Sequence, residues 1–516
     1  MAKTGNQLLA EALKAANRTA INNIVHSKNI KPKQQALLVK NGYFKRIIKG
    51  WYLFDADVTS QSAGESALWY ESIWFFIGQY LTSRFKNNYW LSPGASLDLH
   101  TENNTMPAQV VVFVNGITSD IVKLPNNMSL VLSNSNSNPV KVLKLHDVNV
   151  YPLEMALAIS SPAAYKSNPM SMQVALRNAN FDSLVGELVR IKNVASIGRI
   201  IGAYDALEMR PESKKIEAII SGVGFESVKI VNPFDNPPVL IKNTSKLAPS
   251  ATRVRMMWQQ MRHSIIDVFA EHPPEFDFFS MPLDKTLALI NELYVSDAYN
   301  SLSIEGYKVT SDLIERVSTG DWSPETIEKD NKIKDALAAR GYYGAFNHVI
   351  DSVTAAHNKE DLNYLIDVGL TQWVTSLFKP RVVAGIVSEL DIVGFRKGPI
   401  YIRGSNHVPP ASEQLMDCMT TLKECIAEEN SYPVKAILGH FFLGYIHPFM
   451  DGNGRTARFL MNFLFIIGGY NWVVIKQESR ESYMDVFETA SVNKNITPFV
   501  EFILATKNNA DKDSTS

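Results

Sequence analysis

At 516 residues the chain is too long for one ordinary hydrophobic core, and two or three domains are expected. Its 46% hydrophobic and 20% charged composition is that of a globular protein and excludes a disordered or fibrous chain. A formal net charge of -1 removes any global electrostatic argument for nucleic acid or membrane, so charge must be read locally.

Residues 1–54 are locally basic. Up to Gly50 they carry Lys3, Lys14, Arg18, Lys28, Lys31, Lys33, Lys40, Lys45, Arg46 and Lys49 against a single acid, Glu11. Apolar spacing predicts short helices over Leu8–Ala16 and Ile21–Val25. Pro32 suits the first turn of a third helix, which Asn41-Gly42 would end. The stretch 43–53 alternates and turns at Lys49-Gly50, like a small hairpin. Three helices and a basic hairpin make a winged helix-turn-helix, so DNA is a candidate partner through residues 1–54. A solvated basic face on a docking module is the alternative.

Residues 55–231 mix strands (Val110–Val114, Leu130–Leu132) with helices (Met155–Ala158, Leu184–Ile191), and Asn134–Asn138 reads as a Ser/Asn loop. No catalytic constellation stands out there. The phrases IIKGWYLF, YWLSPGASLDLH and PAQVVVFVNG resemble the abortive-infection type IV antitoxin and transcriptional-regulator module, a winged helix followed by a mixed α+β domain. Residues 232–252, with prolines at 233, 237 and 238, form a linker. Beyond it the pattern is almost wholly helical, with Ser323-Pro324 as a helix start and 506–516 as a flexible tail. Cys418 and Cys425, seven apart on one predicted helix, cannot form an unstrained disulfide. Reduced thiols, no signal-type N-terminus and no run of membrane-spanning length lead to a cytoplasmic expectation without a membrane partner.

The chemistry concentrates in His447-Pro448-Phe449-Met450-Asp451-Gly452-Asn453-Gly454-Arg455-Thr456-Ala457-Arg458, between two apolar helical runs. A tight loop leading into a helix N-terminus offers unpaired N–H groups and the positive end of the helix dipole, an anion site. Arg455 and Arg458 are one turn apart, and Asp451 is a hard oxygen ligand suited to Mg²⁺. These parts can hold a Mg²⁺-bound polyphosphate beside an imidazole base.

The twelve residues resemble the signature of the Fic family, His-x-Phe-x-(Asp/Glu)-Gly-Asn-Gly-Arg-x-x-Arg, with Ala457 where many members carry glycine. The resemblance implies an all-α domain that transfers AMP from ATP to a protein hydroxyl. It implies His447 as base and Asp451 as the Mg²⁺ ligand. Gly452, Asn453 and Gly454 would lie around the phosphates, Arg455 on the β- and Arg458 on the γ-phosphate, with Thr456 and Ala457 completing the nucleotide-binding turn. Gly454-Arg455 argues against the related toxin branch that phosphorylates its target, where lysine precedes the arginine. Phe449 reads as a core wedge and His440 as a core histidine. Tyr483 is either an adenine contact, as the resemblance implies, or a core tyrosine.

Ser301-Leu302-Ser303-Ile304-Glu305-Gly306 resembles the family's inhibitory motif, (Ser/Thr)-x-x-x-Glu-(Gly/Asn). On a helix predicted from about 283 to 306, Ser301 and Glu305 share a face and Gly306 suits the C-terminus. The resemblance implies that Glu305 pairs with Arg458 in the place of the γ-phosphate; an exposed acid at a helix end is the plain alternative. Helices 253–379 would then precede a catalytic core at 380–505, the second Fic class. Phe395, Arg396, Ile400, Tyr401 and Ile402 fall in a segment that resembles the family's β-hairpin flap, which holds a target segment by strand addition; an ordinary surface hairpin is the alternative.

The expectation is therefore a multidomain, self-inhibited protein adenylyltransferase using Mg²⁺ and ATP. Its partner would be an unidentified target protein or itself, with self-association open. The alternatives are a DNA-binding regulator whose Fic half senses nucleotide, and a de-AMPylating enzyme using the same site.

Overall fold

A computed structural model describes residues 4–56, 65–135, 139, 141–225, 227–241, 247–320 and 330–513. The chain divides into two compact units: Met1–Pro249 with Ile400–Val408, and Ser250–Pro399 with Pro409–Ser516.

The first unit begins with α1 (Gly5–Thr19), β1 (Ile24–His26), α2 (Pro32–Lys40), β2 (Phe44–Ile48) and β3 (Trp51–Phe54). Thr4 and Gln7 form a capping box that starts α1. Pro32 stands in the first turn of α2, and Gly42 (φ 80°) follows its end. The expected helix over Ile21–Val25 is not formed. Ile24 and Val25 are β-branched, and they pair antiparallel with Leu53 and Tyr52 as the edge of a sheet ordered β1-β3-β2. The hairpin turns at Lys49-Gly50, where Gly50 takes φ 85°.

There follow α3 (Glu65–Phe85), β4 (Tyr89–Leu91), α4 (Pro93–His100), β5 (Gln109–Val114), β6 (Asp120–Lys123), β7 (Ser129–Asn134), β8 (Leu143–Leu145) and β9 (Val148–Val150). The second sheet runs β4-β5-β7-β6, with β5 and β7 parallel, and β8-β9 is a separate antiparallel pair. The Ser/Asn loop falls partly at 136–138, outside the described residues. Helices α5 (Leu153–Ile159), α6 (Pro162–Ser167), α7 (Pro169–Asn178), α8 (Phe181–Ile191), α9 (Val194–Ala206) and α10 (Arg210–Gly222) enclose a second apolar core. Ile400–Val408 completes the unit: Asn406 O accepts from Met106 N–H at 2.9 Å, and Val408 N–H donates to Asn104 O at 2.8 Å. Its His407 is 1% exposed.

The second unit has no strand among its described residues. It comprises α11 (Pro249–Phe269), α12 (Leu283–Glu292), α13 (Tyr294–Ile304), α14 (Ser311–Thr319), α15 (Asp330–His357), α16 (Leu362–Val383), α17 (Glu389–Ile392), α18 (Leu415–Glu428), α19 (Tyr432–Ile446), α20 (Asn453–Ile467), α21 (Arg480–Asn493) and α22 (Thr497–Asp513). Helices α19 and α20 are apolar on nearly every face, which places them at the centre.

Three expectations are corrected here. The single helix from 283 to 306 is two, broken at Leu293. No hairpin forms over 394–402: Pro399 lacks an N–H, Arg396 is buried, and Ile400–Val408 belongs to the other unit. The tail stays helical through Asp513, and Lys507 is buried against Glu275. The Ser323-Pro324 helix start lies outside the described residues. Cys418 and Cys425 lie buried on α18 as thiols, not in a disulfide. No described helix is long and apolar enough to cross a membrane.

Candidate active site

The loop between α19 and α20 takes its shape from two residues with positive φ. His447 ends α19 in the left-handed region (φ 51°, ψ 57°), uncommon for a residue with a Cβ and a frequent mark of a functional position. Gly452 (φ 83°) precedes the first turn of α20. Asn453 pins the loop from within: its Oδ1 accepts from Phe449 N–H at 2.9 Å and its Nδ2 donates to Phe449 O at 2.8 Å. Phe449, 6% exposed, is the wedge expected of it. Arg396 braces the outside. Its backbone N–H donates to Pro448 O at 2.9 Å, and its guanidinium donates to the carbonyls of His447 and Gly398, each at 2.8 Å, and of Pro410. At 3% exposure it holds the loop instead of meeting a target. Phe395 packs on Phe449 at a ring distance of 5.9 Å.

His447 Nδ1 lies 3.2 Å from Gly444 O. With the ring proton there, Nε2 is left as the basic nitrogen. Burial, then the Arg396 cation, outweighs the Gly444 bond and the Glu305 and Asp451 carboxylates, so the imidazole sits below its ordinary pKa and is neutral at physiological pH.

Asp451 is half exposed. Its Oδ1 accepts from Gly452 N–H and from Arg455 Nη2 at 3.0 Å, and Oδ2 lies 3.8 Å from Arg381. Arg455, 1% exposed, is sandwiched between the rings of Tyr307 and Phe378, each 5.3 Å from its guanidinium carbon. Thr456 and Ala457 are buried inside α20. A cavity lined by Phe378, Arg381, Ile392, Phe449 and Asp451 opens on this side. No group of three metal-ligating side chains occurs among the described residues. Mg²⁺ does not need one: it characteristically takes one or two carboxylates and fills its shell with phosphate oxygens and water. Asp451 fits that demand.

Arg458 faces the other way, onto α13. Its Nε donates to Ser301 Oγ at 2.8 Å, and its Nη2 to Ser301 O at 3.1 Å and Glu305 Oε1 at 2.8 Å. Glu305 caps α13, and Gly306 (φ 86°) turns the chain away. Burial alone would raise the Glu305 pKa, but Arg458, Arg455 and His447 together hold it below the usual carboxylate value. A Cβ on Gly454 would stand 2.3 Å from Glu305 Oε1. The carboxylate therefore lies against the bare backbone at the first turn of α20, where an anion is favoured. The structure sets Ser301 and Glu305, four residues apart, against Arg458, although the helix carrying the first two is shorter than expected.

His440 and Tyr483 are both buried, with Nε2 2.7 Å from the tyrosine hydroxyl. Burial, with Arg458 nearby, holds His440 down at about 3, a neutral core histidine. Of the flap residues, Ile400, Tyr401 and Ile402 lie in the first unit, where Tyr401 packs on the core of α3 and the second sheet. Sequence reasoning missed Arg381, Asp297 and Tyr342, isolated residues on helices without a motif around them.

Residues 375–465 match the family described as Fic/DOC. Among relatives named protein adenylyltransferase Fic, that of Aedes aegypti is 32% identical over 238 residues, covering 44% of this chain and 43% of its own. That of Culex quinquefasciatus is 33% identical over 220 residues, 41% of this chain and 40% of its own. The chain thus spans less than half the length of these relatives. Solved structures similar to it include Fic-1 (residues 134–508) from C. elegans, with 16% identity over 70% of this chain and 92% of that one, TM-score 0.38. Another is a Fic domain containing signalling protein from Bacteroides thetaiotaomicron, with 17% identity, 48% and 92% coverage, and TM-score 0.34. The family match and the loop between α19 and α20 fall on the same stretch, and residues 375–465 of this chain are a Fic domain.

Proposed function

We propose that this protein transfers AMP from ATP to a Ser, Thr or Tyr hydroxyl of a target protein or of itself, and that Glu305 holds the activity down. The observation that carries this reading is the Glu305 carboxylate lying on Arg458 and Gly454, the cation and the bare backbone suited to a phosphate. Neutral His447 would accept the hydroxyl proton at Nε2 as the oxygen attacks the α-phosphate and pyrophosphate leaves. Gly454 N–H, Arg455 and Arg458 would hold the phosphate charge in place, which is where most of the rate enhancement would arise. Asp451 would hold Mg²⁺, which when bound neutralises phosphate charge. Arg455 now lies on Asp451, so turning it to the nucleotide would also free that carboxylate. The cytoplasm, where ATP is abundant and thiols stay reduced, is the fitting compartment.

The test is labelling with ATP radiolabelled at the α-phosphate, with a cell extract supplied. Removing one charge-assisted bond predicts a rise on the order of ten- to a hundredfold for Glu305→Gly, abolished by adding His447→Ala. No labelling by Glu305→Gly would sink the proposal.

A second role, DNA binding, is supported by the order α1-β1-α2-β2-β3, the sheet order β1-β3-β2 and exposed Lys33 and Lys40 on α2. Ile24, Ile47, Trp51 and Leu53 share a core with α3, so deleting 1–54 would tear that core, and charge reversal is the cleaner test. Lys33→Glu with Lys40→Glu should weaken shifts of genomic fragments and lower the salt slope by about 0.9 for each phosphate that is no longer neutralised. Unchanged binding and slope would count against a role for α2.

A further inference from the structure

Asp451 has more arginine around it than one carboxylate balances. Its Oδ1 accepts from Arg455 Nη2 at 3.0 Å, and Nη1 of Arg381 stands 3.8 Å from its Oδ2. Both guanidiniums also lie over the Phe378 ring, at 5.3 Å for Arg455 and 5.9 Å for Arg381. One ring and one carboxylate thus gather two cations, and the local charge balance is positive.

The two arginines are held differently. Arg455 is buried within α20, hydrogen-bonded to Asp451 and covered on its other side by Tyr307. Arg381 stands in the last turn of α16, where a cation often bonds the free carbonyls of the helix end. It does not do so here. Among the described residues its buried Nε has no hydrogen-bond partner, and the nearest approach of its guanidinium to an acid is the 3.8 Å ion pair with Asp451. At that distance the pair is electrostatic contact without a hydrogen bond, and Asp451 is itself half exposed. Arg381 also borders the cavity shared with Phe449, Met450 and Asp391, which gives the side chain room to withdraw and a second carboxylate on the same wall.

A divalent cation approaching Asp451 by itself therefore meets both carboxylate oxygens faced by guanidinium nitrogens, with two positive charges beside them. A polyphosphate alters that balance, because it brings the negative charge that arginines and a metal can share. We infer that Arg381 is a positioning residue that guards the second oxygen of Asp451 against free divalent cations, so that the metal enters this site as its nucleotide complex. The inference rests on the reading of Asp451 as the metal's carboxylate. Arg381 lies outside the twelve-residue loop, and it acts through Asp451 alone.

The test uses the full-length Glu305→Gly protein, in which the proposed block is lifted. The readout is Mn²⁺ retained in equilibrium dialysis, first alone and then with an ATP analogue carrying a methylene between its α- and β-phosphates, so that no AMP is transferred. Without the analogue, adding Arg381→Gln should lower the Mn²⁺ dissociation constant about tenfold, the effect of removing one unit charge from beside a dication at a half-exposed site. Arg381→Lys keeps the charge and should leave Mn²⁺ binding unchanged, and Asp451→Asn should cancel the gain made by Arg381→Gln. An Arg381→Gln protein that retains the Mn²⁺–analogue complex yet gains no affinity for Mn²⁺ alone overturns this inference alone. So does a loss of analogue binding on Arg381→Gln, which would give the arginine a part in holding the nucleotide or the loop. A gain equalled by Arg381→Lys, or one that survives Asp451→Asn, overturns it as well, since neither the charge nor this carboxylate would then be the cause. If the Glu305→Gly protein retains no Mn²⁺ even with the analogue, Asp451 is not the metal's carboxylate, and that part of the proposed function falls together with this inference.

Discussion

Replacing Asp297 by asparagine should change how stability depends on pH. Burial raises the Asp297 carboxyl from 3.8 to about 6, against the opposing pull of Tyr342 and Arg458. The folded protein therefore binds this proton more tightly than the unfolded chain. Stability is greatest below the unfolded value, falls as pH rises through the window between the two, and reaches its lower level above about 6. That window is roughly two pH units wide, and at about 1.36 kcal/mol per pH unit it bounds the loss at about 3 kcal/mol. Asparagine does not titrate, so Asp297→Asn lacks this fall. Any cost of placing its extra N–H groups in the same pocket is an offset independent of pH. His440 works in the opposite sense: held down at about 3, it adds stability as pH rises from about 3 towards its ordinary 6.5. Because His440 is present in both proteins, the difference between their curves isolates Asp297. Calorimetry of the transition containing the helical unit, at about half-unit intervals from roughly pH 4 to 7.5, should show the unsubstituted protein losing ground to the variant as pH rises. Parallel curves would refute a proton bound at Asp297 and the burial argument behind it.

Two further outcomes follow from buried polar groups in the same unit. Arg396→Ala removes three side-chain bonds, to the part-buried carbonyls of His447 and Gly398 and the buried carbonyl of Pro410. A loss of about 3 kcal/mol is expected in urea unfolding, together with reduced labelling in a Glu305→Gly background as the His447 loop loosens. A loss below about 0.5 kcal/mol would make the bracing irrelevant. The Cys425 thiol, pushed up to about 12 by burial, should not react with an aromatic disulfide reagent in the native protein and should react fully in denaturant. Rapid native reaction would place that thiol outside the core.

The loop between α19 and α20 was legible because its pattern is local. His447, Asp451, two glycines and two arginines stand within twelve residues, where a loop enters a helix N-terminus. Ser301 and Glu305 were legible for a related reason, since four-residue spacing survives a helix break at Leu293. The third member of that face was not. Asp297 reads as an ordinary surface acid in the first turn of a helix, and its partner Tyr342 lies 45 positions along the chain. Nothing in local pattern announces a pair made by packing. Ile21–Val25 misled in another way: a short apolar run suits helix or strand equally, and a partner in β3 decided the outcome. Alternation over 394–402 suggested a hairpin, yet a strand needs a free edge opposite it. Arg396 had already committed to the His447 loop, while Ile400–Val408 found its partners in the first unit.

That last segment bears on how the chain can be divided. Its backbone passes from one unit to the other after Pro249, after Pro399 and again after Val408. A fragment beginning near residue 250 would keep Asn406 and Val408 but lose the Met106 N–H and the Asn104 carbonyl that pair with them. It would also uncover Tyr401. The Fic domain is therefore not a cassette that can be excised at one point and judged alone, and a recombination that exchanged only the N-terminal half would have to bring a matching seat for residues 400–408 with it.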